Sequence, residues 1–195
     1  MTSRPPASHP SFADSARELA ALLEASAKVG PAVDAAGECL FRSLQAGGKV
    51  LTCGNGGSAA DAMHLAEEFV GRFQQKRRAL PAICLCADST VLTCVGNDFG
   101  FEQIFARGIE AHGRPGDVLV AFSTSGNSAN VVAALEKARA VGVTSILISG
   151  RDGGRARALC DHALIVPGQK TSRIQEIHML ILHQLLEAAD AHVWD

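Results

Sequence analysis

The chain has 195 residues, of which 47% are hydrophobic and 19% charged, and its formal charge is -2. That length suits one domain with a substantial core, and the near-neutral balance lacks the basic excess that a nucleic-acid partner demands. There is no N-terminal apolar h-region and no 18-residue apolar stretch to span a bilayer, so a cytoplasmic protein with no membrane partner is expected.

Residues 1–10 hold three prolines among small polar residues and are expected to be a flexible leader to a single domain over 11–195. Two helical segments follow, Ser11–Lys28 carrying Leu19, Leu22, Leu23 and Ala27, and Pro31–Ala46 carrying Val33, Leu40 and Leu44. Gly30-Pro31 separates them, and both are too apolar to stand free. After Gly47-Gly48 the pattern becomes strand, helix, strand. Strands are predicted at Lys49–Cys53, Ala82–Ala87, Val118–Ser123, Thr144–Ser149 and Ala163–Val166. The helices between them are predicted at Ser58–Phe73, Ser89–Val95, Phe101–Ala111, Ala129–Val141 and Gly154–Cys160, with a closing helix at Thr171–Ala191. The strands are continuously rather than alternately apolar, so both faces should be covered. The expected fold is therefore α/β, a three-layer, doubly wound, five-stranded parallel sheet with an N-terminal helical pair. Six cysteines lie mostly in apolar runs such as AICLC without a CxxC pair, and are read as reduced core residues.

In such folds ligands bind beyond the carboxyl ends of the strands. The first strand ends in Gly54-Asn55-Gly56-Gly57-Ser58 and the third in Ser123-Thr124-Ser125-Gly126-Asn127-Ser128, each directly before a helix. Glycines admit an anion to the backbone, hydroxyls donate to it, and the helix start adds free N–H groups. The same residues also make an ordinary strand-to-helix turn with an N-cap. Gly54, Gly56 and Ala59 match a weak dinucleotide fingerprint, but the acidic partner it needs, Asp88, lies 34 residues beyond Gly54 rather than about 20. No P-loop motif occurs.

His64 and Glu68 are four residues apart, about 40° around one helix, and share a face. Gln175 and His183 lie two turns apart on the closing helix. Together they offer two imidazoles, a carboxylate and an amide oxygen, a set that suits zinc. A lone helical histidine is more often packed or solvated than ligating. His178 is expected to pack in the core, and Asp61 either orients His64 or favours the first helical turn.

The segments GNGGSAADAMHLAEEFVGRF, CVGNDFGFEQIF, STSGNSANVVAAL and RIQEIHMLILHQLLE resemble the bacterial phosphoheptose isomerases of the sugar isomerase (SIS) fold, over about residues 12–190. The resemblance implies isomerisation of sedoheptulose 7-phosphate to D-glycero-D-manno-heptose 7-phosphate, the first step toward the heptose of lipopolysaccharide or other surface polysaccharides. It implies one zinc per site, held by His64, Glu68, Gln175 and His183. Substrate would touch Asn55, Gly56, Gly57, Ser58, Glu68, Asn97, Asp98, Ser123, Thr124, Ser125, Ser128 and Gln175. It also implies a homotetramer with active sites at subunit interfaces, where the N-terminal helices would find partners.

Moving a carbonyl between C2 and C1 needs a base for a carbon-bound proton and a second group for the hydroxyl proton. Glu68 is assigned as the base and His183 as the acid, since imidazole exchanges protons near neutrality. Two rivals stand against this reading. One is a non-catalytic SIS protein, a sugar-phosphate sensor or replication-initiation regulator, which should lack the Glu68/His183 pair. The other is a dinucleotide-dependent oxidoreductase, which the spacing to Asp88 disfavours.

Overall fold

The structure is a computed structural model describing residues 9–194. Of the expected leader, residues 1–8 lie outside the described residues. Strands β1 (Val50–Cys53), β2 (Ala82–Cys84), β3 (Val118–Ser123), β4 (Thr144–Gly150) and β5 (His162–Val166) form one parallel sheet in the order β2-β1-β3-β4-β5. Helices α1 (Phe12–Ser26), α2 (Gly30–Gln45), α3 (Gly57–Val70), α4 (Ser89–Phe99), α5 (Ile104–His112), α6 (Ala129–Val141) and α7 (Thr171–Asp190) cover it. The chain leaves β1 toward β2 on one side and resumes at β3 on the other, so a crevice opens where the order reverses, between the ends of β1 and β3.

Alternate strand residues feed two cores. Val50, Val118, Val120, Phe122, Ile146, Ile148 and Leu164 pack against α2, α3 and α7. Leu51, Leu119, Ala121 and Leu147 pack against α4, α5 and α6. Burial on both faces is why these runs read as continuously apolar. The N-terminal helices lie on the α7 side. Ser11 opens α1 with a capping box to Asp14, yet no residue of α1 is buried. Leu23 and Leu180 instead border an open apolar groove with Val33, Ile177 and Ile181. No described helix is long and apolar enough to cross a membrane.

Five elements depart from expectation, in type or by three residues or more at a boundary, among them α4, which runs past Val95 to Phe99. Strand β2 stops at Cys84 because Ala87 N–H turns back to Cys84 O, at 3.2 Å. The helix expected at Gly154–Cys160 is a short 3-10 turn, Arg155–Ala158, because the N–H groups of Arg155 and Ala156 bond the loop after β3 instead of starting an α-helix. Residues 101–103 are also 3-10, before α5. Helix α3 ends at Val70, three residues early, where a buried arginine takes over its last carbonyls.

That arginine is Arg77. Its Nη1 donates to Phe69 O at 2.9 Å, its Nη2 to Glu68 O at 2.8 Å and its Nε to Asp190 Oδ1 at 2.9 Å. Asp190 Oδ2 also accepts from the N–H groups of Gln74 and Gln75, at 2.8 and 2.9 Å. Burial works to raise the Asp190 carboxyl, but these N–H groups and the guanidinium outweigh it and hold the carboxyl below its ordinary range. The unsatisfied C-terminal carbonyls of α3 and the end of α7 are thereby tied together.

Candidate active site

A cleft at the crevice is lined by Asn55, Gly57, Ser58, Phe122, Ser123, Thr124, Ser128, Thr171 and Gln175. Its polar lining is neutral: amides, hydroxyls and backbone. Three helices start there, α3, α6 and α7, and none has a side-chain cap on its first N–H groups. The three starts turn their positive dipole ends to one space, α6 and α7 with free N–H groups, whereas in α3 the N–H groups of Ser58 and Ala59 are taken by the Asn55 and Gly56 carbonyls, each at 3.0 Å. The arrangement suits a small dianion. Gly57 lets the Gln175 amide rest against the start of α3, where a methyl group would overlap it. The loop after β3 is braced from outside. Ser149 Oγ donates to Ser123 O at 2.6 Å, and Ala156 N–H donates to Gly126 O at 2.9 Å. Gly126 has φ +63° and presses on the Gly153 carbonyl, so no larger residue fits.

The second group lies farther along the same two helices. His64 Nε2 is 3.4 Å from Glu68 Oε1, and the His64 and His183 rings stand edge to face with centroids 5.4 Å apart. Phe73 stacks on the other side of His183 at 5.5 Å. Two imidazoles on one tetrahedral zinc put their ring centres about 5 Å apart, given Zn–N of about 2.0–2.1 Å. The observed spacing and the imidazole-carboxylate donor set fit that ion. The ligand atoms of His64, Glu67 and Glu68 all lie within 4.8 Å of one another, which adds exposed Glu67, a residue the sequence reading did not single out. Asp61, one turn before His64, is buried, and its Oδ2 has no hydrogen-bond partner among the described residues. Burial pushes its carboxyl up to about 6, against the opposing pull of His64.

The expected site residues thus fall into two groups. Asn55, Gly57, Ser58, Ser123, Thr124, Ser128 and Gln175 line the cleft, with Gly56 as the N-cap of α3 and Ser125 Oγ accepting Asn127 N–H within the loop at 3.2 Å. His64, Glu68 and His183 form the imidazole-carboxylate group. Gln175 sits on α7 about 12 Å along the axis from His183, with its amide over Gly57. Asn97 and Asp98 are exposed at the end of α4 and bond each other at 2.7 Å, outside the cleft lining. His178 is fully buried in the core, as expected, and burial lowers its imidazole to about 4, so it is neutral near pH 7.

Asn130 was missed. It is buried in the first turn of α6 and exchanges two amide hydrogen bonds with Asn55, each 2.8 Å, locking the two cleft loops together. A lone asparagine in an apolar helix start was its only sequence signal. Arg77 was missed too, between the helix expected at Ser58–Phe73 and the strand expected at Ala82–Ala87.

The chain matches the SIS domain family model over residues 12–150. It is 53% identical over 144 residues to a phosphoheptose isomerase of Fusobacterium nucleatum, covering 74% of each chain. It is 52% identical to that of Rhodospirillum rubrum over 155 residues, 80% of this chain and 82% of the relative. The structure of a phosphoheptose isomerase from Neisseria gonorrhoeae superimposes with a TM-score of 0.86 at 42% identity, covering 92% of this chain and 97% of the other.

Proposed function

The chain belongs to the phosphoheptose isomerases of the SIS domain family, and we propose that it interconverts sedoheptulose 7-phosphate and D-glycero-D-manno-heptose 7-phosphate on the residues described above. It is an isomerase, and the observation that carries the site assignment is that α3 and α7 each hold both parts of it. Their uncapped starts line the cleft for the phosphate, and their later turns carry Glu68 and His183.

The phosphate is held at the starts of α3, α6 and α7 by backbone N–H groups and the hydroxyls of Ser123, Thr124, Ser125 and Ser128, with Asn55, Gly56, Gly57, Ser58 and Gln175 around it. At the other end of the sugar, Glu68 takes the proton from C1 of the ketose and returns it to C2 of the enediol. His183 relays the hydroxyl proton between the two oxygens. Asn97 and Asp98 contact the sugar in this proposal. His64, Glu68 and His183 of one chain would hold zinc with Gln175 from the cleft of another as the fourth donor, and the metal would supply Lewis-acid polarisation of the substrate carbonyl. Glu68 then has to alternate between ligand and base.

Glu68 lies eleven residues beyond Gly57, roughly 16 Å along α3, farther than an extended seven-carbon phosphate reaches. The phosphate cleft of one chain therefore works with the Glu68/His183 pair of another. Together with the apolar groove beside α1, this supports the homotetramer with sites at subunit interfaces. The product would enter heptose synthesis for surface polysaccharide, in the cytoplasm.

Incubation of the purified protein with sedoheptulose 7-phosphate should yield the aldose phosphate. Tight binding of the ketose without conversion would instead make the protein a sugar-phosphate sensor.

A further inference from the structure

Three of the six cysteines gather at the edge of the sheet, beside the loop that opens the cleft. Cys53 ends β1, Cys84 ends β2, and Cys86 is the third residue of the turn Cys84–Ala87. A turn of this kind keeps its first and third residues inside the roughly 4.4–6.8 Å Cα window of a disulfide. Cys84 and Cys86 are both partly exposed, whereas Cys53 is fully buried.

The proton of Cys86 is contested. In the structure its thiol donates to Gly54 O at 3.2 Å, and Gly54 is the first residue of the cleft loop. The same thiol also lies beside Cys84 and is the main influence that lowers the Cys84 thiol below its ordinary range. Burial opposes that shift without reversing it, and backbone N–H groups of Cys86 and Ala87 add to it. Thr52 adds little, because its hydroxyl proton is committed to Ala62 O at 2.7 Å. Burial pushes the thiols of Cys53, Cys39 and Cys160 up, and exposed Cys94 sits against the Asp98 carboxylate at 3.7 Å. Cys84 thus has the setting of the reactive thiol and Cys86 that of its partner.

We propose that Cys84 and Cys86 form a peroxide-modification site whose closure to a disulfide withdraws the Cys86 thiol from the Gly54 carbonyl and slows turnover. The Cys84 thiolate attacks one oxygen of a hydroperoxide: the S–O bond forms, the O–O bond breaks and the leaving oxygen takes a proton. Sulfur loses two electrons and the peroxide gains them, leaving Cys84 as sulfenic acid. The Cys86 sulfur then attacks Cys84: the S–S bond forms, the S–O bond breaks, and the hydroxyl leaves as water with the Cys86 proton. Closure turns the Cys86 sulfur toward Cys84 and consumes its proton, so the Gly54 carbonyl loses that donor.

The test treats the reduced, full-length protein with a few equivalents of hydrogen peroxide, followed by non-reducing peptide mapping with fragmentation and by the isomerase assay. A disulfide between Cys84 and Cys86 is expected, with turnover falling about fivefold, as loss of one neutral hydrogen bond predicts, and recovering in dithiothreitol. Cys84→Ser should keep its reduced activity and resist peroxide. Cys86→Ser should stop at a Cys84 sulfenic acid that dimedone traps. An unmodified Cys84 in protein whose Cys94 has been oxidised overturns the site, and a Cys84–Cys86 disulfide with unchanged turnover overturns its link to the loop. The activity arm rests on the isomerase reading, whereas the mapping arm decides the modification site even if no isomerisation is seen.

Discussion

The two ends of the α3/α7 pair are built on opposite plans. At their starts both helices lack a side-chain cap and turn their positive dipole ends to the cleft. At their finishes Arg77 donates to carbonyls of the last turn of α3 and to Asp190, which ties α3 to α7, with both side chains at most 5% exposed. Of the helices with no part in the cleft, α1 is capped by Ser11 and α4 by Asp88, whereas α2 and α5 continue from 3-10 turns without a side-chain cap. A cap is worth about 1 kcal/mol, and omitting it at three converging helices makes sense where a bound anion takes its place. The finishing end does the reverse, using rigid internal bonds to set the His64 and Glu68 turn of α3 against His183 of α7.

The comparison breaks most decisively at the chemical group. Glu68→Gln and His183→Ala should each lower kcat by about 10²–10⁴-fold while circular dichroism and the oligomer remain as in the parent. Full activity in either removes the mechanism. Next in size is the clasp. Arg77→Met leaves Asp190 without its countercharge and should cost about 3 kcal/mol in urea unfolding, most of it recovered in Arg77→Met/Asp190→Leu. If the single variant is as stable as the parent, the clasp is ornamental.

His178 probes the stretch of α7 between the two ends. Its imidazole is lowered by burial from 6.5 to about 4, so the folded state binds fewer protons than the unfolded chain between those values. Stability is therefore full above about pH 6.5 and falls as pH drops toward 4, by up to about 3 kcal/mol. His178→Leu should flatten that acid limb in denaturation measured across the range. An unchanged limb would mean that other groups set it.

The smallest expected effect belongs to the starting end. Thr124→Ala removes one hydroxyl from the cleft and should raise KM about tenfold with kcat nearly constant. A loss in kcat alone would move Thr124 from holding the phosphate to the chemistry. Chelation sharpens the finishing end separately: metal-free protein should lose activity and regain it with zinc, with about one ion per chain by elemental analysis.

Much of the fold was legible because continuous apolar runs and helical periodicity are local. β3 at Val118–Ser123 and α6 at Ala129–Val141 have the expected bounds. Segments whose backbone groups are claimed by distant partners were not legible. The turn at Arg155–Ala158 gives its N–H groups to a loop about 28 residues earlier in the chain, and Arg77 reaches Asp190 across 113 positions. At the site, residue types and spacing picked out His64, Glu68 and the two loops, whereas Asn130 depends on a partner 75 residues away.

The sequence by itself determined which residue types stand where: glycines and hydroxyls at the strand ends, an imidazole and a carboxylate one turn apart, apolar strands for a covered parallel sheet. Those follow from covalent order and short-range periodicity. Only the tertiary structure decided that three uncapped helices open on one cleft, that His183 meets His64 edge to face and stacks with Phe73, and that Gln175 rests over Gly57 two turns away from His183. Such relations depend on how distant elements pack across the sheet, and no local pattern carries that information.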